Sequence, residues 1–111
     1  MNPSDIIQIG GWQQVTPSEV TLLIASVNYT TVYFSNGKKI MVATPLKTLA
    51  ARFEPYHFFR AHKSHLVNLA FVTKFCNYEK TLEMANHKNI AVARRRMTAL
   101  KREITLNNRI N

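Results

Sequence analysis

The stretch TVYFSNGKKIMVA, residues Thr31–Ala43, has two runs of β-branched, aromatic and aliphatic residues on either side of Ser35-Asn36-Gly37-Lys38. Residues of these types fit the pleated surface of a β-strand. Asn-Gly readily takes the positive φ values that a tight type I′ turn needs. The stretch therefore predicts a β-hairpin with a type I′ turn.

Short runs of similar composition recur along the rest of the chain. With the two arms of the hairpin they make nine predicted strands: Ile6–Ile9, Trp12–Val15, Leu22–Val27, Thr31–Phe34, Lys39–Ala43, His57–Arg60, Phe71–Asn77, Thr81–Met84 and Asn89–Val92. Ala85-Asn86-His87-Lys88 indicates a second hairpin, but it has no glycine and the form of its turn stays open. Many short strands separated by turns are typical of an all-β or mostly-β domain.

Two segments have helical spacing instead. After Thr44-Pro45, apolar residues recur at i, i+3, i+4 and i+7: Leu46, Leu49, Ala50 and Phe53. This pattern predicts a short helix over about 45–53 with Thr44 as its cap. A second apolar stripe, formed by Met97, Leu100 and Ile104, predicts a basic C-terminal helix over about 93–105.

The 111 residues are enough for one domain, 1–111, because 46% of them are hydrophobic and neither a linker nor a repeat is visible. With one cysteine, Cys76, no intrachain disulfide can form, and no Cys/His set has zinc-site spacing. No apolar run approaches the roughly 18 residues of a membrane span. The N-terminus lacks the pattern of a signal peptide. We expect a soluble, cytoplasmic protein without membrane contact.

The charge is strongly positive and unevenly distributed. There are 15 Lys and Arg against 6 Asp and Glu, a formal net charge of +9, yet residues 1–37 contain neither Lys nor Arg. A basic excess of this size favours a polyanion as partner. A solvated surface that merely keeps the protein soluble is the alternative.

The case for catalysis or metal binding depends on His62, His65 and Cys76, and it is weak. Nucleophilic catalysis needs a thiol or hydroxyl beside a base. Cys76 lies instead in a strand-like run of aromatic residues, with no orienting Asp or Asn evident. His62 and His65 have no third ligand nearby, and no GxGxxG or P-loop pattern occurs. The sequence predicts no enzyme, no metal and no cofactor.

Hydrogen-bond donors are concentrated between Phe58 and Leu69: Arg60, His62, Lys63, Ser64, His65 and Asn68. Such side chains suit phosphate oxygens and base edges. We expect Lys63 and His65 to face outward, and Ser64 and Asn68 to be structural. A polar crossover between strands is the alternative.

Arg94-Arg95-Arg96 poses a similar choice between a DNA contact and a solvated helix face, and at most two of its side chains can share one surface.

Four ordered motifs resemble the LytTR DNA-binding domain family. They cover most of the chain, with a motif-bearing region of about 20–105, and read N-Y-T at 28–30, T-P-L-K-T-L at 44–49, F-R-A-H-K-S-H-L-V-N-L at 59–69 and I-A-V-A-R-R-R at 90–96. Pro45, Lys63 and Ala93 depart from the family's usual residues. Lys63 supplies a point charge where an arginine would supply a bidentate fork.

The resemblance implies a bacterial transcription regulator of the kind found in two-component response regulators, built as an elongated arrangement of short antiparallel sheets. Its loops would enter successive major grooves. By motif position, Tyr29 and Thr31 would form one contact, Lys63 beside His62 a second, and Arg94 a third. By charge and proximity, Arg60, His65, Arg95 and Arg96 would contact phosphates. The 111 residues contain no phosphoacceptor receiver, so we expect a stand-alone member, with a domain excised from a longer protein as the alternative.

The sequence thus predicts a sequence-specific regulator that binds double-stranded DNA, with a second copy on paired repeats and no small-molecule ligand. Two alternatives stay open. One is an RNA-binding or non-specific domain with Tyr29, Tyr33 and Phe34 as stacking platforms. The other is a protein-interaction module that uses the basic C-terminal helix.

Overall fold

A computed structural model describes residues 5–107, within which ten strands form three antiparallel sheets. The N-terminal hairpin consists of β1 (Ile7–Gly10) and β2 (Gln13–Val15). The central sheet consists of β3 (Val20–Ala25), β4 (Thr30–Phe34), β5 (Lys39–Val42), β6 (Phe58–His62) and β7 (His65–Asn68). The third sheet consists of β8 (Val72–Cys76), β9 (Thr81–Met84) and β10 (Asn89–Ala91).

The strand order is β5-β4-β3-β7-β6 in the central sheet and β10-β9-β8 in the third sheet. This arrangement confirms the predicted mostly-β fold class. The molecule measures 40 × 31 × 23 Å, so it is longer in one direction, as expected. Residues 1–4 and 108–111, the ends of the predicted domain, lie outside the described residues.

Both predicted helices are present as α1 (Leu46–Phe53) and α2 (Met97–Asn107). Short 3₁₀ turns occupy Pro17–Glu19, Glu54–Tyr56, Leu69–Phe71 and Arg94–Arg96. The last of these explains why α2 begins later than predicted. The proposed Thr44 cap is wrong, because the extended Pro45 is the N-cap residue and makes no side-chain cap bond. The Thr44 hydroxyl instead donates to the Ile9 carbonyl at 2.6 Å, which ties the N-terminal hairpin to the start of α1.

Both predicted hairpins form, but their turns are not of type I′. In the first, the Phe34 N–H donates to the Lys38 carbonyl at 2.9 Å, and within the turn only Gly37 has a positive φ, of 90°. The second hairpin repeats these bonds with His87, φ 68°, in the glycine's position. Each is therefore a three-residue loop with one left-handed residue.

The strand β7 is absent from the sequence prediction, which treated its residues as part of a polar segment. β7 lies between β3 and β6, and both of its faces are covered. Leu66 faces one core cluster and Val67 the other. A strand buried on both faces lacks the alternation of polar and apolar residues that identifies a half-buried strand.

The central sheet separates two apolar cores. On one face Leu23, Val32 and Leu66 pack with residues of α1 and the N-terminal hairpin, including Leu49 and Ile9. The other core joins the opposite face to the third sheet and α2, and includes Leu22, Phe59, Val67, Leu82, Met84 and Leu100. This packing fixes the central sheet from both sides, so the turns at its ends project from a rigid support.

Candidate nucleic-acid interface

Two turns lie side by side at one end of the central sheet. The turn between β3 and β4 contains residues 26–29, and the turn between β6 and β7 contains Lys63 and Ser64. The Ala25 N–H donates to the Ser64 carbonyl at 2.8 Å, which joins the two turns directly. The 35–38 turn closes the opposite end of β4, about 17 Å away by the rise of a five-residue strand.

Arg60 holds the β6–β7 turn in shape. Its Nε donates to the His62 carbonyl at 3.1 Å and its Nη2 to the Lys63 carbonyl at 2.5 Å. Partial burial, and secondarily the charge of Arg96, lowers the pKa of the Arg60 guanidinium, which nevertheless stays protonated at neutral pH. The carbonyl bonds hold the backbone on which the exposed Lys63 projects.

The two histidines of this turn have different surroundings. Their rings contact edge to face at 5.5 Å, and the Ser64 N–H donates to His62 Nδ1 at 3.2 Å, so a neutral His62 carries its proton on Nε2. His65 is partly buried rather than facing outward as predicted, and its Nδ1 is buried without a hydrogen-bond partner. Burial, and secondarily the charge of His62, lowers the pKa of His65, so its ring is neutral at pH 7.

The arginine triplet adjoins the same turn. The Ala93 N–H donates to the Ala61 carbonyl at 2.8 Å, and Arg96 Nε donates to the Arg60 carbonyl at 3.0 Å. The Arg96 guanidinium also lies over the Phe59 ring at 4.6 Å. Arg94 and Arg95 are exposed and Arg96 is partly buried. The triplet therefore offers two solvent-facing cations beside the β6–β7 turn, as its spacing allows.

A groove of about 240 Å³ runs between these elements. It is lined by residues 25–30, by residues 43–47 at the start of α1, and by Arg60 and Lys63. The groove brings Tyr29, which is 50% exposed, together with both cations. Thr31 is not among the lining residues. It is directly opposite Ile24 and Met41 on neighbouring strands, so its side chain shares their face of the sheet.

Three residues of this groove were not selected from the sequence. Lys47 is exposed in the first turn of α1, and Val27 and Asn28 are exposed in the β3–β4 turn. Val27 was assigned to a strand because it continues an apolar run. A lone lysine on a helix is usually solvated, so Lys47 carried no signal beyond its place in the T-P-L-K-T-L motif.

Other sites are not formed within the described residues. Across residues 5–107, no group of three or more His, Cys, Asp or Glu could hold a metal ion. In the same part of the chain, no helix is long and apolar enough to cross a membrane. Cys76 is partly buried, and its Sγ accepts a hydrogen bond from the Glu79 N–H at 3.4 Å in the β8–β9 turn.

Comparisons with known proteins agree with the resemblance found in the motifs. No curated protein matches the sequence. Among solved structures, the chain is similar to one described as the LytTr DNA-binding domain of a methyl-accepting/DNA response regulator from Bacillus cereus. That match has 22% sequence identity and a TM-score of 0.67, over 89% of this chain and 93% of that one. The sequence model of the LytTr DNA-binding domain matches residues 10–105. The chain therefore belongs to the LytTR DNA-binding domain family.

Proposed function

We propose that the chain is a sequence-specific transcription regulator that reads double-stranded DNA through three neighbouring loops around Tyr29–Thr31, His62–His65 and Arg94–Arg96. The family is DNA-binding and not catalytic. The observation that carries the proposal is the pair of backbone hydrogen bonds, Ala25 to Ser64 and Ala93 to Ala61, which link the loops into one surface.

The length of the molecule is compatible with a footprint of about one turn of duplex DNA. The long axis measures 40 Å, and one turn of B-DNA spans about 34–36 Å. A domain lying along one side of the duplex can therefore extend over about one helical turn. The 26–29 turn, the 63–64 turn and Arg94 lie next to one another within that length and supply three neighbouring contact points.

We assign different roles to the side chains of this surface. Lys63 and Arg94 are exposed and are proposed to contact base edges, with Arg95 on the phosphates. Arg60 and Arg96 hold the loop backbones and add positive charge behind them. Neutral His65 contributes a hydrogen bond to a phosphate rather than a charge, and His62 Nε2 is its companion donor. Tyr29 is better positioned than Thr31 at the first contact.

The alternative of stacking on single-stranded RNA is less well supported. Phe34 packs against the first core cluster. The ring of Tyr33 lies under Lys88 Nζ at 4.8 Å and near Lys39 Nζ at 5.9 Å. Two of the three proposed stacking rings are therefore occupied by protein groups, whereas base stacking needs a free aromatic face. The third, Tyr29, is 50% exposed, and a single ring is a small platform for a single strand. The basic C-terminal helix packs on the second core through Met97 and Leu100, so a partner protein that used this helix would bind its outer face.

Selection of binding sites from a randomised duplex pool tests the proposal. We expect an enriched motif that binds at least about a thousandfold more tightly than a scrambled duplex at physiological salt. A salt series separates the phosphate contribution, which is independent of sequence. Recovery of direct or inverted repeats would further support a second copy on paired sites. Uniform binding to all duplexes, or tighter binding to single strands, would contradict the proposal.

A further inference from the structure

We propose that the β3–β4 turn reads two adjacent A·T base pairs, with Asn28 bonding to an adenine and Val27 contacting a thymine methyl group. This inference rests on the proposed function and deepens it, because it names the bases under one of the three loops.

The inference begins with what the turn exposes. The Val27 side chain is 97% exposed, and Asn28 is exposed beside it. Both line the groove that also contains Lys47 and Lys63. A single exposed apolar side chain is common on protein surfaces and means little alone. Val27, however, lies beside the amide side chain of Asn28 at the tip of a loop. The groove that both residues line also contains cations that attract phosphates.

The turn is also held rigidly. Both the N–H and the hydroxyl of Ser26 donate to the Tyr29 carbonyl, at 2.8 and 3.2 Å. The Thr30 hydroxyl donates to the Thr44 carbonyl at 2.8 Å on the far side of the turn. The bond from Ala25 to Ser64 anchors its other flank. A loop fixed in this way loses little conformational entropy on binding, so its side chains can discriminate between bases.

The chemistry of the two side chains selects A·T pairs. An Asn amide has one acceptor and two donors, which match the N6 amino group and N7 of adenine in the major groove. An apolar side chain complements the C5-methyl group of thymine, a group that neither guanine nor cytosine presents. Consecutive Cα atoms are about 3.8 Å apart, close to the 3.4 Å rise between base pairs. Two consecutive residues can therefore reach neighbouring pairs.

The test uses modified bases in the best duplex recovered from a randomised pool. Each thymine is replaced in turn by deoxyuridine, which lacks the methyl group, and each adenine by 7-deazaadenine, which lacks N7. For the unmodified protein, one thymine should be sensitive, with about fourfold weaker binding. An adenine in the adjacent pair should also be sensitive, with about tenfold weaker binding.

The variants assign each effect to its residue. Val27→Ala should be less sensitive than the unmodified protein to deoxyuridine at the sensitive thymine, because alanine keeps only one methyl group. Asn28→Ala should be indifferent to 7-deazaadenine at the sensitive adenine. Lys38→Ala, at the other end of β4, should keep the pattern of the unmodified protein. Folding is not at risk in Val27→Ala because the side chain is almost fully exposed.

The outcomes separate the inference from the function on which it rests. A selected motif with unchanged base sensitivities in Val27→Ala and Asn28→Ala would overturn the inference and leave the proposed function standing. A motif with no adjacent A·T pairs would do the same. Failure to recover any motif would overturn both.

Discussion

Single arginines of the interface have different roles although they are adjacent in sequence. Arg96 packs on Phe59 and bonds to the Arg60 carbonyl, whereas Arg94 is exposed. Residues of a 3₁₀ turn are about 120° apart, so neighbouring side chains point to different sides. The sequence indicates that at most two of these side chains can share one surface, but it does not identify the two. Only the packing of the turn against β6 decides which of them is structural.

We expect Arg96→Ala to lower the free energy of unfolding by about 1–2 kcal/mol, because it removes a hydrogen bond and a cation–π contact. Arg94→Ala should change it by less than about 0.5 kcal/mol, as is usual for exposed positions. Urea denaturation of both variants checks the expectation. Equal destabilisation by the two substitutions would mean that Arg96 has no special structural role.

Lys63→Ala should weaken binding to the selected duplex by about 1–3 kcal/mol and flatten the sequence preference. Lys38→Ala removes the same charge at the far end of β4 and is the matched control, for which we expect little change. Fluorescence anisotropy with selected and scrambled duplexes measures both effects. If Lys63→Ala weakened binding to the two duplexes equally, Lys63 would be a phosphate contact instead.

His65 should make stability depend on pH. Its pKa is lowered in the folded protein, so below its ordinary value of about 6.5 the unfolded chain binds more protons at this site than the folded one. The contribution of His65 to stability is therefore complete above that pH and is lost as the pH falls toward the lowered pKa. Thermal unfolding at pH 7.5 and 5.5 should show a smaller loss in His65→Gln than in the parent chain. An identical loss would exclude His65 as the source.

At the scale of elements, the two hairpins offer a matched pair of turns. Gly37 and His87 occupy the same left-handed position, which costs a residue with a Cβ about 1–2 kcal/mol. His87→Gly should therefore stabilise the protein by about 0.5 kcal/mol, after the entropy of the added glycine and the loss of the exposed contact between His87 Nδ1 and Glu83 Oε2 at 3.3 Å are subtracted. Gly37→Ala should destabilise it by a similar amount, although open space surrounds the site. Chemical denaturation of both variants measures the effect, and destabilisation by His87→Gly or stabilisation by Gly37→Ala would contradict it.

The elements that sequence predicts correctly are those whose pattern is local. The α1 stripe and the two hairpins depend on neighbouring residues, and they are present. β7 was missed because its apolar residues face two different cores, a property of the assembled sheet. The Thr44 cap was wrong because the hydroxyl bonds to Ile9, 35 residues away. The groove around Val27 and Lys47 could not be predicted either, because it is formed by segments that are far apart in the sequence.

At the scale of the whole molecule, the interface combines segments from three separate parts of the chain. The 26–29 turn comes from the stretch without Lys or Arg, and its positive surroundings are supplied by Lys47, Lys63 and Arg60. Backbone hydrogen bonds fix the order of the loops across the surface. The central claim is that these three loops bind duplex DNA together, as one surface.

Titration of the ¹⁵N-labelled protein with the selected duplex, followed through amide chemical shifts, tests that claim most directly. We expect the largest changes at 26–29, 62–65 and 93–96, with the 35–38 turn at the opposite end of the sheet unaffected. Changes confined to one loop, or centred on the 35–38 turn or the outer face of α2, would contradict the claim.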